Sequence, residues 1–151
     1  MKIYQYKTSQ KLNISKNDAW NFFSNPANLS KITPNWLNFQ VTSSLPEKMY
    51  AGLIVTYLVH PLFNIPQTWV TEITHIHEQN YFVDEQRFGP YKMWHHEHIF
   101  KESDDGKILM DDIISYAVPF GFIGGIVNSI VISKKIKEIF EYRRKVLDKL
   151  F

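Results

Sequence analysis

Titratable and aromatic side chains alternate along residues 81–102. Phe88-Gly89-Pro90-Tyr91 lies at the centre of this stretch, and adjacent Gly and Pro predict a turn that joins its two arms as a hairpin. Successive side chains of a strand point to opposite faces, so each arm presents one set on each side. One side of the hairpin would present Phe82, Asp84, Gln86, Trp94, His96, His98 and Phe100. This mixture suits a cavity wall better than a dry core.

Neighbouring strands should add their own inward sets to the same surface. From the last strand we choose the face with Asp112 over the face with Asp111, because Tyr116 on that face has a hydroxyl that needs a partner and faces the same way as Val118. The predicted ligand-binding residues are therefore Trp69, Phe82, Asp84, Gln86, Trp94, His96, His98, Phe100, Met110, Asp112 and Tyr116.

The polar members of this set permit several kinds of chemistry. Buried carboxylates need partners, and the two His and two Asp could satisfy one another as a network that fixes strand register, or could face solvent. They could also bind the polar end of an amphipathic ligand. A third possibility is acid–base catalysis, with His96 or His98 as the base and Asp112 or Asp84 orienting it.

A metal site is the fourth interpretation of the His-rich segment. In a strand His96 and His98 share a face, while His95 and Glu97 point the other way, so at most two of these four could bind one ion. Asp84 or Asp112 could complete a two-His-one-carboxylate set. The arrangement is not the helical H-E-x-x-H pattern, and we predict neither a metal nor another cofactor.

Composition narrows the class of protein. The 151 residues, 44% hydrophobic and 21% charged, predict one globular domain over 1–151. A net charge of +2 gives no field for binding nucleic acid. The absence of cysteine excludes disulfides, thiolate catalysis and Cys-ligated metals. The first residues contain no apolar signal segment, and the longest apolar stretch, 118–132, is too short and interrupted to span a bilayer, so a cytoplasmic location is expected.

Hydrophobic periodicity predicts the elements that position the site. Ser15 is a natural N-cap for a short helix that stops before Pro26, and a second helical turn follows to Thr33-Pro34. Alternation predicts strands at 2–14, 37–45, 53–62, 67–77, both arms of 81–102, and 107–118. The order predicts an α+β fold in which a curved antiparallel sheet of six to seven strands wraps around a long C-terminal helix, with two short helices after the first strand.

The terminal helix should begin after Gly124-Gly125, with Gly121 part of a flexible approach to it. Its apolar positions recur three and four residues apart: Ile126, Ile130, Ile136, Ile139, Phe140, Val146, Leu147 and Leu150. The cations Lys134, Lys137, Arg143, Arg144 and Lys149 are expected mostly off this stripe. Residues from Gly121 onward hold seven Lys/Arg and three Asp/Glu, which fits a solvated face or contact with an anionic membrane.

Five segments carry a resemblance to a known superfamily: 19–34 (AWNFFSNPANLSKITP), 66–73 (PQTWVTEI), 82–100 (FVDEQRFGPYKMWHHEHIF), 109–121 (LMDDIISYAVPFG) and 139–147 (IFEYRRKVL). They resemble the SRPBCC superfamily, which has the START-like helix-grip fold, and more closely its bacterial ligand-binding branch labelled polyketide cyclase/dehydrase-like. The resemblance implies a helix-grip fold. It assigns no catalytic residue, because the scaffold hosts lipid carriers, hormone receptors, aromatases, cyclases and oxygenase domains.

We therefore expect a protein that binds a small hydrophobic or amphipathic ligand, lipid- or polyketide-like, in a cavity between the sheet and the C-terminal helix. One alternative is a cyclase, dehydratase or aromatase that uses a His–Asp pair. Another is an interaction protein whose basic C-terminal helix contacts a membrane or a partner. The sequence leaves the oligomeric state open.

Overall fold

Seven antiparallel strands form one sheet in a computed structural model that describes residues 1–61, 63–119, 126 and 128–151. Their order across the sheet is β1-β7-β6-β5-β4-β3-β2, so only the pairing of β1 with β7 joins strands distant in sequence. The strands are β1 (Tyr4–Leu12), β2 (Gln40–Val41), β3 (Ile54–Val59), β4 (Gln67–His77), β5 (Tyr81–Phe88), β6 (Met93–Glu102) and β7 (Ile108–Ala117).

Short helices follow β1, as predicted. Helix α1 (Lys16–Phe23) begins at Ser15, whose hydroxyl accepts a hydrogen bond from the Asp18 amide at 3.1 Å and donates one to the Asp18 carboxylate at 2.7 Å. A 3-10 helix over Pro26–Ile32 and a shorter one over Asn35–Leu37 come next. Trp20 of α1 packs edge-on against Phe82 and Phe100, so α1 covers one end of the sheet.

The long C-terminal helix α2 (Ser133–Leu150) follows a π-helical turn over Asn128–Ile132. Its buried face consists of Ile136, Phe140, Arg143 and Leu147, at the spacing expected of a helix packed on a sheet. The combination of antiparallel sheet, short helices and α2 confirms the predicted α+β helix-grip architecture. The predicted start after Gly124-Gly125 and the flexible approach at Gly121 lie outside the described residues. In the described part of the chain, no helix is both long and apolar enough to cross a membrane.

The predicted strand at 37–45 is wrong for most of its length. Leu37 belongs to a 3-10 helix, Asn38 adopts a left-handed conformation with φ of 45°, and only Gln40–Val41 pairs with β3. Side-chain burial still alternates along this segment, although most of it forms no ladder. The alternation therefore indicated which side chains point inward. It did not indicate which backbone groups form hydrogen bonds with a neighbouring strand. The other strands agree with the predictions to within a few residues at their ends.

Candidate functional site

A cavity of about 360 Å³ lies between the sheet and α2. Most of its wall is apolar, and the wall includes Phe23, Leu29, Tyr57, Trp69, Ile136 and Ile139. This volume falls within the range of sites that bind small molecules, which are typically apolar with a few polar groups.

The cavity reaches solvent at one side. Asn25, Trp36 and Gln67 belong to its lining and are exposed at the protein surface. The ammonium group of Lys135 lies 4.4 Å from the centre of the Trp36 ring and forms an ion pair with Glu138 at 2.7 Å. We expect a molecule from solution to enter the cavity beside this rim.

Strand register assembles the polar group in the interior. Asp84 of β5 lies opposite His96 of β6, and His98 lies opposite Asp112 of β7. Nε2 of His96 donates a hydrogen bond to Oδ1 of Asp112 at 2.9 Å, and Nε2 of His98 donates one to Oδ2 of Asp84 at 2.9 Å. The imidazole rings lie 3.7 Å apart, centre to centre. Each histidine thus has its own carboxylate on a neighbouring strand.

Two further contacts cross between these pairs. Nδ1 of His96 lies 3.5 Å from Oδ2 of Asp84. Nδ1 of His98 lies 3.2 Å from Oδ1 of Asp112, but the alignment does not make a hydrogen bond. Each carboxylate therefore faces both imidazoles, and the four groups titrate as one unit.

The surroundings shift the pKa values of the two histidines in opposite directions. Burial lowers the pKa of His96, and the nearby charge of His98 lowers it further. Burial also disfavours the charged form of His98, but its contacts with Asp112 and Asp84 outweigh burial and raise its pKa. A proton shared by this pair therefore favours His98, while His96 favours the neutral form.

Burial raises the pKa values of both aspartates, but their partners reverse the effect. The hydrogen bond from His98, with the charges of the histidines and Arg143, lowers the pKa of Asp84. The hydrogen bond from His96, together with the close contact of His98 and the charges of both histidines, holds the pKa of Asp112 far below its ordinary value of 3.8. Both carboxylates are ionised at neutral pH.

Arg143 of α2 completes the polar group, although the cations of this helix were expected to lie mostly off its apolar stripe. Its side chain is buried and lines the cavity, and Nη1 lies 3.7 Å from Oδ1 of Asp112. The neighbouring Arg144 instead donates hydrogen bonds to Oγ1 of Thr8 and to the Ser9 carbonyl of β1. The signal for Arg143 was present in the sequence, because 136, 140, 143 and 147 share one helical face.

The eleven predicted ligand-binding residues divide into two groups. Those that line the cavity are Trp69, Phe82, Asp84, Trp94, His96 and His98. Those outside the lining are Gln86, Phe100, Met110, Asp112 and Tyr116. Asp112 lies behind the histidines, Phe100 and Met110 join the apolar cluster around Trp20, and Tyr116 is buried in a cluster with Ile114.

Gln86 has a role in the turn of the hairpin. Its side-chain amide donates a hydrogen bond to the Tyr91 carbonyl at 2.7 Å, and its carbonyl oxygen accepts one from the Tyr91 amide at 3.2 Å. This exchange fixes the turn that brings Tyr91 to the cavity wall. The sequence pattern predicted Tyr91 only as part of the turn and did not predict that it lines the cavity.

Ligand atoms from Asp84, His96 and His98 lie within 4.8 Å of one another, close enough for one metal ion. Nδ1 of His96 and Nε2 of His98 both face Oδ2 of Asp84, the set that a two-His-one-carboxylate site uses. Nε2 of His98 already donates a hydrogen bond to Oδ2 of Asp84, whereas Nδ1 of His96 lies 3.5 Å from the same oxygen and is not hydrogen-bonded to it.

Comparison with known proteins identifies the scaffold. No family model matches the sequence, and no curated protein matches it. The structure resembles TTHA0849 from Thermus thermophilus, with a TM-score of 0.75, 11% identity, and coverage of 97% of this chain and 95% of that chain. It also resembles a START superfamily protein from Mycobacterium smegmatis, with a TM-score of 0.68, 9% identity, and coverage of 97% and 99%.

A third match is major latex-like protein 151 from Panax ginseng, with a TM-score of 0.65, 10% identity, and coverage of 97% and 96%. These similarities show that the chain has an SRPBCC-type, START-like helix-grip fold, as the sequence resemblance predicted. At such low identities they show the fold and do not extend to a ligand.

Proposed function

We propose that this protein binds a small hydrophobic or amphipathic molecule, lipid- or polyketide-like, in the cavity between the sheet and α2. The observation that carries the proposal is the cavity of about 360 Å³ with a mostly apolar wall that reaches solvent beside Trp36. Transfer of apolar ligand surface from water into such a site contributes roughly 25 cal/mol per Å². The aromatic wall residues Trp69, Trp94 and Tyr91 supply large, flat contact surfaces.

The buried polar group would orient the ligand. Asp84, His96, His98 and Arg143 form the charged part of a mostly apolar wall, so a ligand with one polar end would have a favoured direction of binding. Polar groups of this kind contribute specificity, because a ligand that leaves them unsatisfied loses affinity.

Native mass spectrometry of the purified protein tests the proposal. We expect either a retained lipophilic molecule or, after its removal, stoichiometric uptake of an added one. A protein that neither retains nor takes up apolar compounds of suitable size would contradict binding in this cavity.

Acid–base catalysis is a second candidate, favoured by the His–Asp contacts beside the cavity. The pKa of His98 is raised, which favours its protonated form, and His96 has an unprotonated Nδ1 when its Nε2 donates to Asp112. Such a pair of one acid and one base suits a cyclase or dehydratase.

The two candidates differ in what happens to a bound molecule. A dehydratase would leave product in the wild-type protein and unreacted substrate in His98→Gln, a difference of one water in the mass of the retained molecule. A binding protein would hold the same molecule in both. Identical masses at similar occupancy would exclude dehydration by His98.

A further inference from the structure

Arg143 is a buried cation whose hydrogen-bonding capacity is unused. The residue is 7% exposed and lines the cavity. Within the part of the chain that the structure describes, no residue hydrogen-bonds to its guanidinium, and Nε is fully enclosed without a partner. Its contact with Asp112, at 3.7 Å, is longer than a hydrogen bond. The guanidinium carbon lies 4.6 Å from the centre of the Phe140 ring, which offers no oxygen acceptor.

The guanidinium of Arg143 therefore needs a hydrogen-bond acceptor, which a molecule in the cavity could supply. A guanidinium has five N–H donors and stays charged, so burial without acceptors is costly. Leaving a buried donor without an acceptor costs free energy, and the cost is larger for a charged donor. A ligand oxygen that reaches the part of the guanidinium lining the cavity would recover some of this free energy. An apolar ligand would not.

The charges around Arg143 indicate which oxygen fits best. Asp84 and Asp112 face one guanidinium and the two imidazoles, whose rings lie 3.7 Å apart. Protons on both rings at this distance would repel each other, so one imidazolium and Arg143 balance the two carboxylates. A carboxylate ligand would add an unbalanced negative charge in an apolar enclosure, whereas a carbonyl oxygen accepts hydrogen bonds without changing the net charge.

We propose that Arg143 binds the carbonyl oxygen of an uncharged, otherwise apolar ligand, such as an aryl or alkyl ketone. This inference rests on the binding function proposed above and names the ligand class for the same cavity. Trp69 and Trp94, whose ring centres lie 5.3 Å apart, provide aromatic surface on the wall for a cyclic body. The assignment makes Arg143 a specificity-determining residue, and its effect should be confined to ligands that carry an acceptor.

Three naphthalenes of similar shape test the assignment by isothermal titration calorimetry at neutral pH: 2-acetylnaphthalene, 2-naphthoate and 2-ethylnaphthalene. Wild-type protein should bind the ketone about tenfold or more tightly than the hydrocarbon, because hydrogen bonds to charged groups contribute about 1.5–3 kcal/mol. The naphthoate should bind more weakly than the ketone. In Arg143→Met the ketone should lose its advantage, while binding of the hydrocarbon stays within about threefold of wild type.

Arg144→Met is the matched control, because Arg144 lies on the same helix but bonds to Thr8 and Ser9 outside the cavity lining. It should keep the wild-type order of affinities. Infrared spectroscopy of 2-acetylnaphthalene bound to wild-type protein gives a readout that requires no variant. Its carbonyl stretch should move to lower frequency than in hexane.

The outcomes separate this inference from the function on which it rests. If none of the three compounds binds to wild type, cavity binding itself fails. If all three bind with equal affinity and the carbonyl stretch matches that in hexane, binding stands and the role of Arg143 is wrong. Tightest binding of naphthoate would overturn the uncharged ligand class.

Discussion

Nε2 of His96 lies 2.9 Å from Oδ1 of Asp112, and both side chains are more than nine-tenths buried. The two residues are 16 positions apart in sequence, and the pairing of β6 with β7 brings them together. Asp112 also faces His98 and Arg143, so one carboxylate contacts three groups that carry or can accept a positive charge. The site therefore depends on a residue that does not itself line the cavity.

Asp112→Asn should lower the free energy of unfolding by about 3–5 kcal/mol, the usual cost of removing one partner from a buried charged pair. Arg143 and the histidines would lose their main counter-charge. Urea denaturation followed by circular dichroism measures the change. Asp105→Asn is the control, because Asp105 pairs with Lys11 at 2.7 Å on the exposed surface, where an ion pair contributes little. Similar losses in both variants would show that Asp112 is not a central member of the cluster.

His98 should give stability a specific pH dependence. Its pKa is raised above 6.5 in the folded protein, so its stabilising contribution is fully present below pH 6.5 and is lost as pH rises through the folded pKa. The difference in unfolding free energy between wild type and His98→Gln should therefore shrink as pH rises above 6.5. Urea denaturation at pH 6 to 9 tests this. The exposed His77→Gln serves as control, and a difference that grows with pH would contradict the assigned protonation.

The hairpin turn depends on the contact between Gln86 and Tyr91. A Cβ at Gly89 would lie 2.5 Å from Oε1 of Gln86, so Gly89→Ala should displace that side chain from the Tyr91 backbone. Loss of two hydrogen bonds predicts a destabilisation of about 1–2 kcal/mol by thermal or urea unfolding. In a Gln86→Ala background the same substitution should cost less. Additive effects of the two substitutions would contradict this account.

The hairpin was predictable because two local signals agree there. Gly89-Pro90 marks the turn, and the period of two assigns Asp84, His96 and His98 to one face. Antiparallel pairing then determines which of them become neighbours. On β7, Asp112 lies on the buried face and contacts both histidines, while Asp111 pairs with the surface Lys101.

Arg143 and Gln86 show where sequence reasoning fails. A cation on an amphipathic helix is normally assigned to solvent because burial is costly, and the residue that offsets this cost, Asp112, lies 31 positions earlier on β7. Helical spacing puts Arg143 on the buried face with Ile136, Phe140 and Leu147. Its charge, however, favoured a prediction of solvent exposure. Gln86 shares the inward register, yet its reach to the Tyr91 backbone depends on the shape of the turn and not on the face of the strand.

The prediction of a strand over 37–45 was wrong for a different reason. Alternating burial arises wherever an extended or turning segment covers a core, whether or not its backbone pairs with a neighbour. Leu37 is buried within a 3-10 helix, and Asn38 turns the chain with a positive φ before the two paired residues Gln40–Val41. The extent of a strand is decided by long-range pairing, which the local sequence pattern does not predict.

The most direct test of cavity binding is a fluorescence titration with N-phenyl-1-naphthylamine, a neutral apolar probe. Ile139 of α2 lines the cavity, and Ile139→Trp would fill part of its volume. Val146→Trp is the control, because Val146 is also half-buried on α2 but packs outside the lining. We predict saturable binding to wild type and to Val146→Trp, with affinity at least about tenfold weaker in Ile139→Trp, as expected if about 1.4 kcal/mol of contact is lost. Absence of binding to wild type, or equal affinity in Ile139→Trp, would contradict the proposed function.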